Sequence, residues 1–120
     1  YIFLLSKQPN YYYDYEAILE TTNKFETKNK RSVWKVNPKP YKEAHFAVFP
    51  TELIEPCVLA GCPEGGIVLD PFGGSGTTGL VADRHKRNAV LIELNNDYID
   101  IAEDRLKGDA PLFSSIQRSK

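Results

Sequence analysis

Apolar and polar residues fall into four unequal zones along the chain. Tyr1-Ile2-Phe3-Leu4-Leu5 opens as an apolar run, Gln8-Pro9-Asn10 supplies a turn, and Tyr11-Tyr12-Tyr13 follows. That pattern predicts an aromatic β-hairpin over residues 1–15, with its first five residues buried. From 16 to 44 the chain is polar and weakly periodic, and Pro38 and Pro40 break any regular element. A surface excursion of long loops around Val33-Trp34-Lys35-Val36 is expected there.

Regular patterning returns at His45 and defines a third zone, residues 45–107. Pro50-Thr51 is a helix start, and the helix is expected to run through Leu59 and Ala60 to a stop at Gly61. Pro56 lies inside it and removes one backbone donor, so a kink or two short turns is predicted. Ile67-Val68-Leu69 reads as a short strand, Gly73 to Gly76 as a turn, and Thr77 to Lys86 as a helix. Ala89-Val90-Leu91-Ile92 reads as a second strand. A last helix, capped by Asn95 or Asn96, carries Tyr98, Ile101, Ala102 and Leu106 at helical spacing. This βαβα order implies parallel strands and an α/β class. The fourth zone, residues 108–120, is a polar tail expected to fray.

With 120 residues, 42% apolar and 26% charged, the composition is that of one globular domain. No apolar run approaches the roughly 20 residues of a membrane span, and no signal peptide opens the chain, so a cytoplasmic protein without membrane contact is expected. The chain has no Met and starts inside an apolar strand pattern. Both features read as the C-terminal portion of something longer. Cys57 and Cys62, with His45 and His85, do not make four ligands in finger-like spacing, so no metal is expected and the cysteines read as small buried hydrophobes. Charge is uneven. Between Thr22 and Lys42 seven basic residues face Glu26 alone, a local charge of +6 in a chain of net −1. One concentrated basic stretch is the pattern of a polyanion-binding segment.

The segment with the most chemical information is Asp70-Pro71-Phe72-Gly73-Gly74-Ser75-Gly76-Thr77-Thr78, at the carboxyl end of a strand and the start of a helix. Ligands of α/β sheets bind at such places, where glycines admit close approach and helix amides favour an anionic group. Two ligands are open. Gly74-x-Gly76-x-x-Gly79, with Glu93 closing the next strand, matches the dinucleotide fingerprint of nicotinamide and flavin enzymes. Against it, Asp70 would set a carboxylate beside a pyrophosphate, Phe72 is bulky where such turns carry glycine, and little chain remains for a second nucleotide half. S-adenosylmethionine offers what these residues would take: a ribose diol for Glu93, a carboxylate for the helix start, and cationic ammonium and sulfonium groups for Asp70.

At these residues the chain resembles a known family. His45-Phe46-Ala47-Val48-Phe49-Pro50, Pro56-Cys57, Gly65-Gly66-Ile67-Val68-Leu69 running into the Asp70 turn, and Ile92-Glu93-Leu94 look like the cofactor-binding part of the N4-cytosine/N6-adenine DNA methyltransferases. Tyr1 to Lys7 and Tyr11-Tyr12-Tyr13-Asp14 also resemble the hairpin that follows the catalytic motif there. The resemblance implies part of a Rossmann-like S-adenosylmethionine-dependent methyltransferase sheet, incomplete in this chain. By position it implies that Asp70, Phe72, Gly73, Ser75, Gly76 and Thr77 line the methionine end of the cofactor. Glu93 would take the ribose, Leu94 would lie by the adenine, and Phe46, Phe49 and Thr51 would form an additional contacting segment.

The family transfers a methyl group to an exocyclic amine of a flipped base, with a [D/N/S]-P-P-[Y/F/W] motif accepting the amine's hydrogen bonds and stacking on the base. No such motif occurs. Asn37-Pro38-Lys39-Pro40-Tyr41 approaches it, but Lys39 splits the prolines and brings a cation to an amine that must become positive. The resemblance therefore implies a missing N-terminal catalytic half as partner, with double-stranded DNA as substrate and no catalytic residue in this chain. The basic segment stands where the family's target-recognition region sits. Lys28, Lys30 and Arg31 are its candidate phosphate contacts and Trp34 its anchor or stacking residue. Restriction partner, target sequence and oligomeric state have no signature in the sequence.

Overall fold

Helix α2 (Thr77–Arg84) lies at the centre of the molecule, with six consecutive buried residues from Thr77 to Ala82. The computed structural model describes residues 1–23, 25–37, 48–109 and 115–119. A single 3₁₀ turn (Glu16–Ile18) is followed by a small antiparallel pair, β1 (Glu20–Thr21) and β2 (Thr27–Lys28). Then come α1 (Thr51–Gly61), β3 (Ile67–Asp70), α2, β4 (Asn88–Leu91) and α3 (Asn96–Asp109). Strands β3 and β4 pair in parallel, joined by α2, as the alternation of elements predicts.

Register pairs Ile67 with Asn88, Val68 with Ala89, Leu69 with Val90 and Asp70 with Leu91. Successive side chains point to opposite faces, so Val68, Ala89 and Leu91 share one face with Asp70. That face lies on α2, where a Cβ added to Gly79 would come within 2.9 Å of Leu91 Cδ1. Glycine at that position lets helix and strand close on each other. Ile67, Leu69 and Val90 form the opposite face, and Ile67 and Leu69 are 68% and 61% exposed. The core is small: Val58 and Ala60 of α1, Cys62, Leu80, Val81 and Ala82 of α2, and Ala102 of α3. Cys57 and Cys62 are both free, and burial pushes the Cys57 thiol up, as expected of an unreactive packing residue.

Several expectations need correction. Residues 1–15 contain no strand, and Tyr1 to Leu5 are exposed rather than buried. An isolated two-stranded hairpin is marginal in water, and among the described residues no strand of either sheet pairs with this stretch. The stretch is tied down at its far end instead, where the Asp14 amide donates to the Ala60 carbonyl at 2.9 Å. The polar zone is not all loop. The β1–β2 pair closes through Thr22, whose amide donates to Glu26 O at 2.7 Å and whose hydroxyl accepts the Glu26 amide at 3.2 Å. Of the two outcomes expected at Pro56, a kink or two short turns, the second does not occur, since α1 is one continuous helix. The polar tail is not wholly loose either, since Arg118 donates to Asp100 and Asn96 of α3 at 3.0 and 2.9 Å.

Helix α2 stops two residues before Lys86, and the reason is local. The Arg87 amide donates to Ala82 O at 2.8 Å and the Lys86 amide to Asp83 O at 3.0 Å, with Lys86 at φ +58. This is a Schellman stop whose left-handed position holds lysine instead of glycine. At α3 the expected cap is realised by Asn95, whose Oδ1 accepts the Asp97 amide at 2.9 Å. Among the described residues no helix is long and apolar enough to cross a membrane.

Candidate functional site

The loop from Asp70 to Gly76 leaves the end of β3 and is fixed from three sides. From its own strand, Asp70 Oδ1 accepts the Phe72 amide at 3.0 Å and Oδ2 accepts the Thr78 hydroxyl at 2.6 Å. Both carboxylate oxygens are engaged, and the acid remains at the mouth of the turn. From the neighbouring strand, Ile92 O accepts the Gly73 amide at 2.8 Å. Glu93 Oε2 accepts the Gly74 amide at 2.8 Å, and Glu93 Oε1 accepts the amides of Leu94 and Asn95, each at 2.9 Å. These donors, the Asn95 amide foremost, hold the Glu93 carboxyl below its ordinary value against burial and the Asp70 charge.

From the third side comes α3. Arg105 Nη1 donates to Ser75 O at 2.7 Å, to Ser75 Oγ at 2.8 Å and to Thr77 Oγ1 at 3.2 Å. One turn earlier, Ala102 closes on Gly76, which sits at φ +80 and whose Cβ, if present, would lie 2.8 Å from Ala102 Cβ. Gly76 is therefore fixed twice, by its left-handed backbone and by the helix behind it. Beyond it α2 begins, and its first amides lack a carbonyl four residues back.

Asp70, Phe72, Gly73, Ser75, Gly76, Thr77, Glu93 and Leu94 are thus brought to one edge of the sheet. They are not equivalent there. Phe72 and Leu94 are fully open to solvent, Leu94 at 97%. Ser75 and Thr77 are only 5% and 3% exposed, with both hydroxyls and the Ser75 carbonyl given to Arg105. Phe49 lines an apolar cavity of about 480 Å³ between α1 and β3 that reaches Asp70 and Thr78. Thr51 opens α1 and donates to Glu52 Oε2 at 3.2 Å, away from that cavity's lining. Phe46 lies outside the described residues.

The chemistry of this edge can take a ligand with an anionic end, a cationic centre and a hydroxyl. Helix amides serve the first, Asp70 the second. A carboxylate offers four lone-pair positions, and Glu93 has given three to amides, so it has one left for a hydroxyl.

The basic segment forms a separate cluster. Lys28 and Lys30 both reach Glu20, at 3.6 and 3.5 Å, and Lys30 Nζ stands 5.0 Å from the Trp34 ring centroid. Trp34 Nε1 donates to Arg31 O at 2.7 Å, and Arg31 itself points to solvent.

The model of the N6/N4 DNA methylase family matches residues 1–104. The chain belongs to that DNA methylase family. Type II methyltransferase M.Cfr9I of Citrobacter freundii is 52% identical over 109 residues, covering 91% of the methylase chain and 36% of the relative. Type II methyltransferase M.SmaI of Serratia marcescens is 53% identical over 108 residues, covering 88% and 37%. The chain therefore spans little more than a third of these relatives' length. Among solved structures, the M1.HpyAVI–SAM complex superposes with TM-score 0.52 at 31% identity, over 65% of the methylase chain and 42% of that structure. The cytosine-N4-specific PvuII DNA methyltransferase gives TM-score 0.51 at 34% identity, over 64% and 25%.

Three residues of the methylase chain act at these clusters without a signal that sequence reading could use. Thr78 holds Asp70, although Thr77 is the threonine that abuts the glycines. Arg105 is 30 residues from Ser75, and only its helical spacing from Ala102 connects the two. Glu20 lies two residues outside the basic window that it partly neutralises.

Proposed function

We propose that this chain is the S-adenosylmethionine-binding segment of a DNA amino-methyltransferase. Its target is an exocyclic amine of adenine or cytosine in double-stranded DNA, in the cytoplasm where DNA and cofactor meet. The observation that carries the reading is the clamped turn: an acid at each end, Asp70 and Glu93, and glycine amides between them at a helix start. When bound, S-adenosylmethionine supplies an electrophilic methyl group. The chain's own residues orient it: Asp70 faces its cationic centre, the start of α2 its carboxylate, and Glu93 one ribose hydroxyl, with Leu94 and Phe72 as apolar walls. Phe49 and its cavity lie next to that site, and Lys28, Lys30, Arg31 and Trp34 meet DNA.

The catalytic Pro-Pro residues come from sequence this chain does not contain. The open sheet face supports this: Ile67, Leu69 and Val90 are apolar and exposed, whereas parallel sheets are covered on both faces. The remaining two thirds of a full-length relative is the natural cover. A second reading, an S-adenosylmethionine- or DNA-binding remnant without catalysis, is favoured by the missing motif alone. Calorimetry decides the core of the proposal: S-adenosylmethionine should bind the chain and NAD should not, and the reverse order would overturn it. Incubation of the chain with tritiated S-adenosylmethionine and mixed-sequence DNA should leave the DNA unlabelled, while a protein that also carries the Pro-Pro motif should label it.

A further inference from the structure

We propose that Arg105 is the positioning residue of the cofactor turn, holding Ser75 and Thr77 from behind so that the backbone of the turn is presented to the ligand. This deepens the cofactor reading above and rests on it.

The turn has little stiffness of its own. Two of its glycines sit at positive φ, Gly74 at +51 and Gly76 at +80, and glycine loses more conformational freedom on ordering than any other residue. Something outside the loop must therefore fix it. Ala102 and Arg105 are three residues apart on one face of α3 and meet the loop together. Ala102 sets how closely Gly76 approaches. Arg105 sets its orientation, because its Nη1 shares two hydrogens among a carbonyl and two hydroxyls on either side of Gly76.

The direction of the contacts matters. The hydroxyls of Ser75 and Thr77 are spent inward on Arg105, and both residues are almost fully buried. Their side chains do not touch a ligand in the cleft; they are handles by which α3 grips the loop. At the end of the same helix, Arg84 of α2 grips the Asp109 carboxylate through two bonds at 2.8 and 2.6 Å. Helix α3 thus bonds α2 through Asp109 and the turn through Arg105.

The test uses the full chain, with Arg105→Lys, Arg105→Ala and Ser75→Ala beside wild type. Amide hydrogen exchange without ligand should be about tenfold faster at Gly74 to Thr78 in Arg105→Ala, with Val58 to Ala60 unchanged. Dissociation constants for S-adenosylmethionine should rise about tenfold or more in Arg105→Ala. Arg105→Lys, which keeps the charge and one donor nitrogen at a different reach, should recover part of both effects. Wild-type exchange together with wild-type affinity in Arg105→Ala overturns the proposal. If Arg105→Ala loses its circular-dichroism signal, the other two variants decide. Faster turn exchange and weaker binding in Ser75→Ala and Arg105→Lys support it, and wild-type behaviour in both overturns it. A wild-type chain that fails to bind S-adenosylmethionine sinks the cofactor reading alone, because the exchange comparison still decides whether Arg105 holds the turn.

Discussion

Glu93 and Gly74 are joined by a 2.8 Å hydrogen bond from the glycine amide to Oε2, across 19 residues of sequence. The same side chain gathers the amides of Leu94 and Asn95, so it clamps the glycine turn to the turn that follows β4. Glu93 therefore has two tasks, one of which needs no ligand. Replacing it with Ala should weaken S-adenosylmethionine binding by roughly tenfold to a hundredfold, the range for losing a hydrogen bond to a charged group. It should also lower the melting temperature. An unchanged dissociation constant by calorimetry in folded Glu93→Ala protein would remove the ribose role and leave the clamp.

Acid should loosen the same clamp. The folded-state carboxyls of Glu93 and Asp109 lie below their ordinary values of 4.5 and 3.8. Groups shifted downward add stability that is complete above the unfolded value and is lost as pH falls through the folded one. Stability should hold from neutral pH to about 5 and decline below about 4.5. Glu93→Gln should flatten the first part of that decline, measured by urea melts across the range. A wild-type slope in Glu93→Gln would assign the acid sensitivity elsewhere.

The Glu20 contacts change what to expect of the basic segment. Both pairs are half-buried, and Lys28, whose side chain is 40% exposed, can leave Glu20 for phosphate at less cost than Lys30, which is 20% exposed and lies over Trp34. In a protein that binds duplex DNA through this segment, Ala at Lys28, Lys30 and Arg31 together should lower the salt slope by about three units. Target and non-target duplexes should be affected alike. Glu20→Gln should do the opposite to affinity and raise it at low salt. Fluorescence anisotropy over a salt series reads both, and an unchanged slope in the triple variant would make the stretch a solvated surface.

Lys86 holds a left-handed position, φ +58, in the stop signal of α2. Glycine takes that conformation without the Cβ clash, so Lys86→Gly should stabilise the chain by about 0.5–1 kcal/mol. The lysine's own ion pair, 3.9 Å from Glu64 and well exposed, offers little to set against this. A lower melting temperature in Lys86→Gly would contradict the assignment of the stop.

What could be read from the sequence was set by where interactions are local. The β3–turn–α2–β4–α3 succession follows from short apolar runs, one glycine cluster and one Asn cap, all decided within a few residues. The hairpin over residues 1–15 did not form because aromatic runs state a preference for burial without supplying the surface to bury against. The β1–β2 pair went unread because two-residue strands of polar residues carry no period. At the site, the residues flanking the glycines were legible as a group, but their roles were not. Ser75 and Thr77 look like ligand contacts until Arg105 is placed behind them, and no spacing rule connects residue 105 to residue 75. Glu93 was visible as an acid at a strand end, whereas its three amide donors depend on how the chain turns after β4.

The bare side of the β3–β4 sheet also bears on the fate of the polypeptide in a cell. A strand with an open edge and uncovered Ile67 and Leu69 is what chaperones and proteases treat as unfinished work. While that face stays uncovered the chain should turn over quickly, and once the face is buried the chain should persist.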